Sequence, residues 1–204
     1  SGNIEIIKRN YLNFKQFYNN FQIFIICPNA DFKKFEDEFK STNLRIYDED
    51  KIIKFDRFKK IANSILKGTN YYERIQDRLG WYYQQVLKLA FMYNFINLHN
   101  EKLLIWDADT IILKKIKFFD NEKSLIYGTT SEFFKAYYAT NKTILGEIPK
   151  YFVSSVCQFS AVTPYDLKNL LSKLSKFEPL RNDVPEWFTS IIFKAIARTH
   201  KEYN

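Results

Sequence analysis

The stretch Leu103-Leu104-Ile105-Trp106-Asp107-Ala108-Asp109-Thr110 decides how the chain is read, because four large apolar residues run directly into two carboxylates separated by one residue. Such an apolar run, entered from the His99-Asn100 turn, has the make-up of a short buried strand. Ligands of α/β sheets collect at the carboxyl ends of strands. If the chain stays extended, the period of two sends Asp107 and Asp109 to one side. Paired hard oxygens there suit Mg²⁺ or Mn²⁺. Without a cation or hydrogen-bond donors the two charges repel.

Immediately upstream lies Arg78-Leu-Gly-Trp-Tyr-Tyr-Gln-Gln-Val-Leu-Lys-Leu89, inside a helix expected over Gly80 to Asn97. At about 100° per residue, Trp81, Gln84, Gln85 and Lys88 share one arc, and Tyr83, Val86, Leu87, Ala90 and Phe91 lie opposite. The helix therefore has a core face and a donor-rich face. Arg78 and Lys88 suit phosphate oxygens, and Gln84 or Gln85 suits a base, ribose or sugar hydroxyl. A merely solvated polar face is the plainer alternative.

Farther out, helices and strands alternate. Helices are expected over Ile4 to Asn20, Phe32 to Phe39 (with Asp31 as its N-cap), Pro164 to Leu174 and Trp187 to Ala197. Strands are expected over Phe21 to Cys27, Leu44 to Tyr47, Ser124 to Gly128 and Val156 to Val162. Phe55, Phe58, Ile61 and Ile65 hint at one further helix, and Asp48-Glu49-Asp50 reads as a solvated acidic turn. The alternation predicts an α/β fold with a mostly parallel sheet covered by helices. At 204 residues, with no linker, repeat or low-complexity tract, residues 1–204 read as a single domain.

Composition narrows the classes. Hydrophobic residues make up 46% and aromatics 18%, which excludes a disordered chain. Cys27 and Cys157 stand alone, so there is neither a disulfide framework nor a zinc signature, and a reducing, cytoplasmic setting is expected. No apolar run approaches about 18 residues. The net charge of +8 favours an anionic partner. The basic residues are spread along helices and the aromatics sit at core-like spacing, which argues against a nucleic-acid partner. No G-x-x-x-x-G-K-S/T loop is present, which excludes P-loop phosphoryl transfer.

Taken together, the block from Arg78 to Leu89 and the block from Leu103 to Thr110 resemble bacterial GT-A-type glycosyltransferases, of the kind encoded with surface-polysaccharide genes. The resemblance implies a GT-A-like α/β sheet and transfer of a sugar from a nucleotide-diphosphate sugar to a saccharide or glycolipid acceptor. It also implies that Asp107 and Asp109 hold the Mn²⁺ or Mg²⁺ that bridges the donor's phosphates, and that Val156 to Val162 with Pro164 borders the acceptor. Such enzymes open on a strand, whereas this chain opens on a helix, so it is expected to be a segment of a longer enzyme or to lack the usual first strand. The expected setting is cytoplasmic, at the inner face of the membrane where glycolipid acceptors reside, with peripheral contact through basic residues.

An inverting enzyme needs a carboxylate to take the acceptor's proton, and the candidates are Glu186, Asp183, Glu132 and Glu202. Glu186 leads, because it follows Pro185 in the first turn of the final helix, where it also suits the helix dipole. His200 is a candidate third metal ligand. A non-catalytic nucleotide-sugar or nucleic-acid binding module and a metal-dependent nucleotidyltransferase remain as competing readings.

Overall fold

The computed structural model describes residues 2–40, 42–125, 135–146 and 158–199. Helix α1 (Gly2–Phe17) leads to strand β1 (Ile23–Cys27), helix α2 (Asn29–Phe39) and strand β2 (Leu44–Asp48). After a 3₁₀ turn at Glu49–Lys51 come α3 (Phe55–Leu66), the short α4 (Tyr72–Gln76) and the long α5 (Leu79–His99). Strand β3 (Leu103–Trp106), the hairpin β4 (Phe119–Asp120) and β5 (Lys123–Ser124), α6 (Lys135–Leu145), β6 (Phe159–Val162), α7 (Pro164–Phe177) and α8 (Val184–Thr199) complete the order.

The fold is mixed α/β, as the alternation predicts, but its strands pair differently. β1 and β2 are parallel, with Ile23 opposite Leu44 and Cys27 opposite Asp48. β3 and β6 are antiparallel, with Leu103 opposite Val162 and Trp106 opposite Phe159. The β4–β5 hairpin is also antiparallel and turns through Asn121 at φ 51°, a conformation asparagine tolerates. Among the described residues the strands form three two-stranded sheets in place of a mostly parallel one. Each strand has one neighbour among the described residues; β3 is half-buried throughout and β1 is half-buried except at Cys27. The expected strand over Ser124 to Gly128 extends past the described residues, as do the first positions of the one expected from Val156.

The helices carry most of the core. Phe58, Ala62 and Leu66 of α3 and Tyr83, Val86 and Leu87 of α5 pack against Trp187, Phe188, Ile191, Phe193 and Ile196 of α8. Apolar nearly all round, α8 is buried nearly all round. Its polar members are satisfied: the Thr189 hydroxyl donates to the Pro185 carbonyl at 2.8 Å, and the Ser190 hydroxyl donates to the buried Glu178 carboxylate. A second core joins Ile4 of α1, Cys27, Phe35, Phe39 and Leu44. A third sets Met92 and Ile96 of α5 and Leu167 of α7 beneath β3 and β6, where they meet Leu103, Ile105 and Val162.

Three local expectations are corrected. Pro28 occupies the N-cap of α2 and Asp31 falls inside the first turn, because the helix starts at Asn29. Asp48 is 7% exposed and bonded, in place of a solvated turn residue: its Oδ2 accepts from Asn29 Nδ2 at 2.7 Å and its Oδ1 from the Asp50 amide at 2.9 Å. Burial, reinforced by Asp50 and Asp48, pushes the neighbouring Glu49 carboxyl above its ordinary value. Helix α6 has no counterpart among the expected elements. In contrast, α7 starts as its sequence suggests, with Pro164 at N1 and a capping box in which Thr163 and Asp166 bond reciprocally.

Candidate active site

The acidic pair lies where β3 ends. Asp107 continues the antiparallel ladder by one bond, its amide donating to the Gln158 carbonyl at 2.8 Å. The chain then turns: the Thr110 amide donates to the Asp107 carbonyl at 3.0 Å. The period of two therefore stops at Trp106, and Asp109 sits in a tight turn. The extended geometry expected to place both carboxylates on one side is absent, because a backbone bond folds the segment within three residues.

Lys88 comes to this turn from α5. Its ammonium pairs with Oδ1 of Asp107, and the two side chains are 26% and 38% exposed. The pairing is possible because Met92 and Ile96, one and two turns farther along the same side of α5 as Lys88, are packed under β3, which fixes the helix against the strand. Tyr83, Val86, Leu87 and Ala90 are buried, whereas Arg78, Trp81 and Gln84 are exposed and Gln85 is half-buried, so the first turns of the helix divide into the two faces the sequence indicates; farther along, Phe91 of the expected core face is only half-buried and Met92, on the side of Lys88, is buried. Asp109 is exposed, and its carboxylate bonds to none of the described residues.

Further residues at the turn escape sequence reasoning. The indole N–H of Trp106 donates to the Thr110 carbonyl at 2.8 Å, and Asn10 of α1 donates to the same oxygen at 2.6 Å. The Trp106 ring stacks on Phe159 at 5.3 Å between centroids and meets Phe14 of α1 edge-on, also at 5.3 Å. A lone Asn in an amphipathic helix carries no periodic signal, so only the tertiary structure reveals its partner.

Asp183 and Glu186 stand at the start of α8. Asp183 Oδ1 accepts from the Glu186 amide at 3.0 Å, and the Glu186 carboxylate takes a fork from Arg57, whose Nη2 lies 2.8 Å from Oε2. Hydrogen bonds from Arg57 hold the Glu186 carboxyl below its ordinary value against the opposing effect of burial, with the charges of Arg57 and Arg181 assisting. These contacts are those of a helix cap and an ion pair. No hydrogen bond or ion pair joins either residue to Lys88, Asp107 or Asp109. Glu132, His200 and Glu202 lie outside the described residues.

Among the described residues, no three His, Cys, Asp or Glu side chains gather in a metal-holding group. Asp107 and Asp109 carry hard oxygens of the kind Mg²⁺ accepts, an ion that binds through one or two carboxylates together with substrate phosphates and keeps its waters. A dedicated cage is not needed for that mode. No helix among the described residues is long and apolar enough to cross a membrane.

Comparison with known proteins places these elements in one matched stretch that contains α1, α5, β3 and β6 and ends within α7, with Asp183, Glu186 and α8 beyond it. No curated protein and no solved structure matches the chain. Residues 2–173 match DUF6492, a family of unknown function, and the chain belongs to that family.

Proposed function

We propose that the chain is a metal-dependent glycosyltransferase that moves a sugar from a nucleotide-diphosphate donor to a saccharide or glycolipid acceptor in surface-polysaccharide synthesis. The observation that carries this reading is the ion pair between Lys88 and Asp107, which joins the donor-rich face of α5 to the acidic end of β3. A GT-A-like arrangement of the sheet is part of the same proposal, supported by the α/β alternation and by an acidic turn at a strand's carboxyl end.

Asp107 and Asp109 would hold Mn²⁺ or Mg²⁺, and the bound cation supplies a Lewis acid that stabilises charge on the departing diphosphate. Lys88 orients the Asp107 carboxylate and offsets its charge, and with Arg78 it adds positive charge for phosphate oxygens. Gln84, Gln85 and the exposed ring of Trp81 supply hydrogen bonds and a stacking face for the nucleoside or sugar. In the transfer, the bond from the anomeric carbon to the phosphate oxygen breaks and its electron pair leaves with the nucleoside diphosphate. A bond to the acceptor oxygen forms, and the acceptor's proton passes to a general base or to the departing phosphate.

The test is calorimetric binding of UDP-, GDP-, CMP- and dTDP-linked sugars with and without Mn²⁺, on the wild type and on Asp107→Asn and Asp109→Asn. Binding that requires Mn²⁺ and weakens at least about tenfold in either variant is expected, in line with loss of a metal ligand. Donor binding that survives both substitutions undiminished overturns the reading. Release of pyrophosphate in place of nucleoside diphosphate reassigns the chain to nucleotidyl transfer.

A further inference from the structure

The segment 110–116 follows the acidic turn as irregular chain, with no strand partner for its backbone groups among the described residues. Unpaired backbone polar groups are costly when water is excluded, and side chains of α1 supply the partners. Asn10, 7% exposed, donates from Nδ2 to the Thr110 carbonyl at 2.6 Å, and its Oδ1 accepts from the Ile112 amide at 3.3 Å. Asn13 donates to the Ile112 carbonyl at 2.8 Å. The Tyr18 hydroxyl, just past the helix, donates to the Ile116 carbonyl and accepts from the Ile116 amide, each at 2.8 Å. One amide and one phenol thus bond both a carbonyl and an N–H of the segment, as a neighbouring strand would.

These contacts bear on Asp109. Asp107 is held independently, through its amide on Gln158 and its carboxylate on Lys88. Asp109 has no side-chain partner among the described residues, so the backbone of the turn sets its position. That turn closes on Thr110, whose carbonyl is anchored by Asn10 and Trp106. We infer that Asn10 is a positioning residue for the acidic pair: acting through Thr110, it fixes the turn that carries Asp109, the second carboxylate of the proposed cation site. The inference rests on the transferase reading for the cation and on the hydrogen bonds for the positioning.

Asn10→Leu, close in shape, removes both bonds, and Asn13→Ala at a half-buried position removes one. Three readouts are taken on the full chain: amide hydrogen exchange by NMR at Asp109, Thr110 and Ile112, Mn²⁺ affinity by electron paramagnetic resonance, and the unfolding midpoint. In Asn10→Leu the Thr110 and Ile112 amides are expected to exchange about tenfold faster. Mn²⁺ binding is expected to weaken about tenfold, the lower end of what loss of an outer-shell partner does. Unchanged exchange at the turn overturns the inference. Faster exchange with wild-type Mn²⁺ affinity also overturns it, because α1 then merely supports a surface segment. Should Asn10→Leu fail to fold, Asn13→Ala decides by the same comparison with smaller changes. A wild-type chain that binds no Mn²⁺ overturns the cation role in the proposed function, and the exchange rates still decide whether Asn10 holds the turn.

Discussion

The ammonium of Lys88, on α5, rests on Oδ1 of Asp107, one residue beyond the end of β3. Nineteen positions separate the two residues along the chain, and the contact is the point at which a helix face rich in donors meets the acidic turn. With both side chains part-exposed, its contribution to folding is small, and its weight falls on what the turn binds.

Replacing Lys88 with Gln is accordingly expected to cost less than about 1 kcal/mol of stability while weakening nucleotide-sugar binding about tenfold, as expected for loss of a charged hydrogen bond. Thermal unfolding and titration calorimetry separate the two effects. Lys88→Arg keeps the charge and should retain more of the affinity. A Lys88→Gln chain that binds donor as tightly as the wild type removes the phosphate role of this residue.

The fork between Arg57 and Glu186 predicts a pH dependence of stability in the acid range. Because the pairing lowers the Glu186 carboxyl from its ordinary value of 4.5, its contribution is fully present above that value. It is lost as the pH falls through the lowered value of the folded chain. With Arg57 52% exposed, solvent screening keeps the contribution small. Glu186→Gln should remove that part of the acid dependence while leaving the midpoint ratio between pH 6 and pH 8 as in the wild type. Chemical denaturation across the pH series measures it.

Cys27 is expected to resist alkylation in the folded chain. Burial first, and then the negative charges of Asp31, Asp48 and Glu49, push its thiol from 9.0 up to about 11. Two units reduce the thiolate available at pH 8 by about 100-fold, and the thiolate is the nucleophile. Peptide-resolved mass spectrometry after iodoacetamide treatment should show Cys27 modified only once the chain unfolds. Rapid labelling of the native chain would mean that the packing between β1, α2 and β2 opens readily.

Elements that depend on local pattern were legible along the chain. The strand Leu103–Trp106 has the expected bounds, and α5 extends the expected helix by one residue at its start and two at its end. A four-residue apolar run and a helix whose first turns separate polar from apolar positions declare themselves without neighbours. The proline start of α7 is equally local. Features that depend on partners were not legible. Alternating helices and strands do not say whether β3 will pair parallel or antiparallel, because direction is set by how the chain returns to it. Asp107 and Asp109 share a spacing that suits an extended chain, yet the bond from Thr110 to Asp107 folds it.

The amino-acid sequence by itself determined the α/β class, the division of the first turns of α5 into a core face and a donor face, and the acidic pair directly after an apolar strand. Each of these follows from side-chain spacing over a few residues, where helix and strand periods act. Tertiary structure alone decided that Lys88 meets Asp107, that Glu186 is forked by Arg57, and that Asn10 secures Thr110 one hundred positions away. Contacts of that kind depend on which backbone groups are left without partners once the elements have packed, and no local period encodes them.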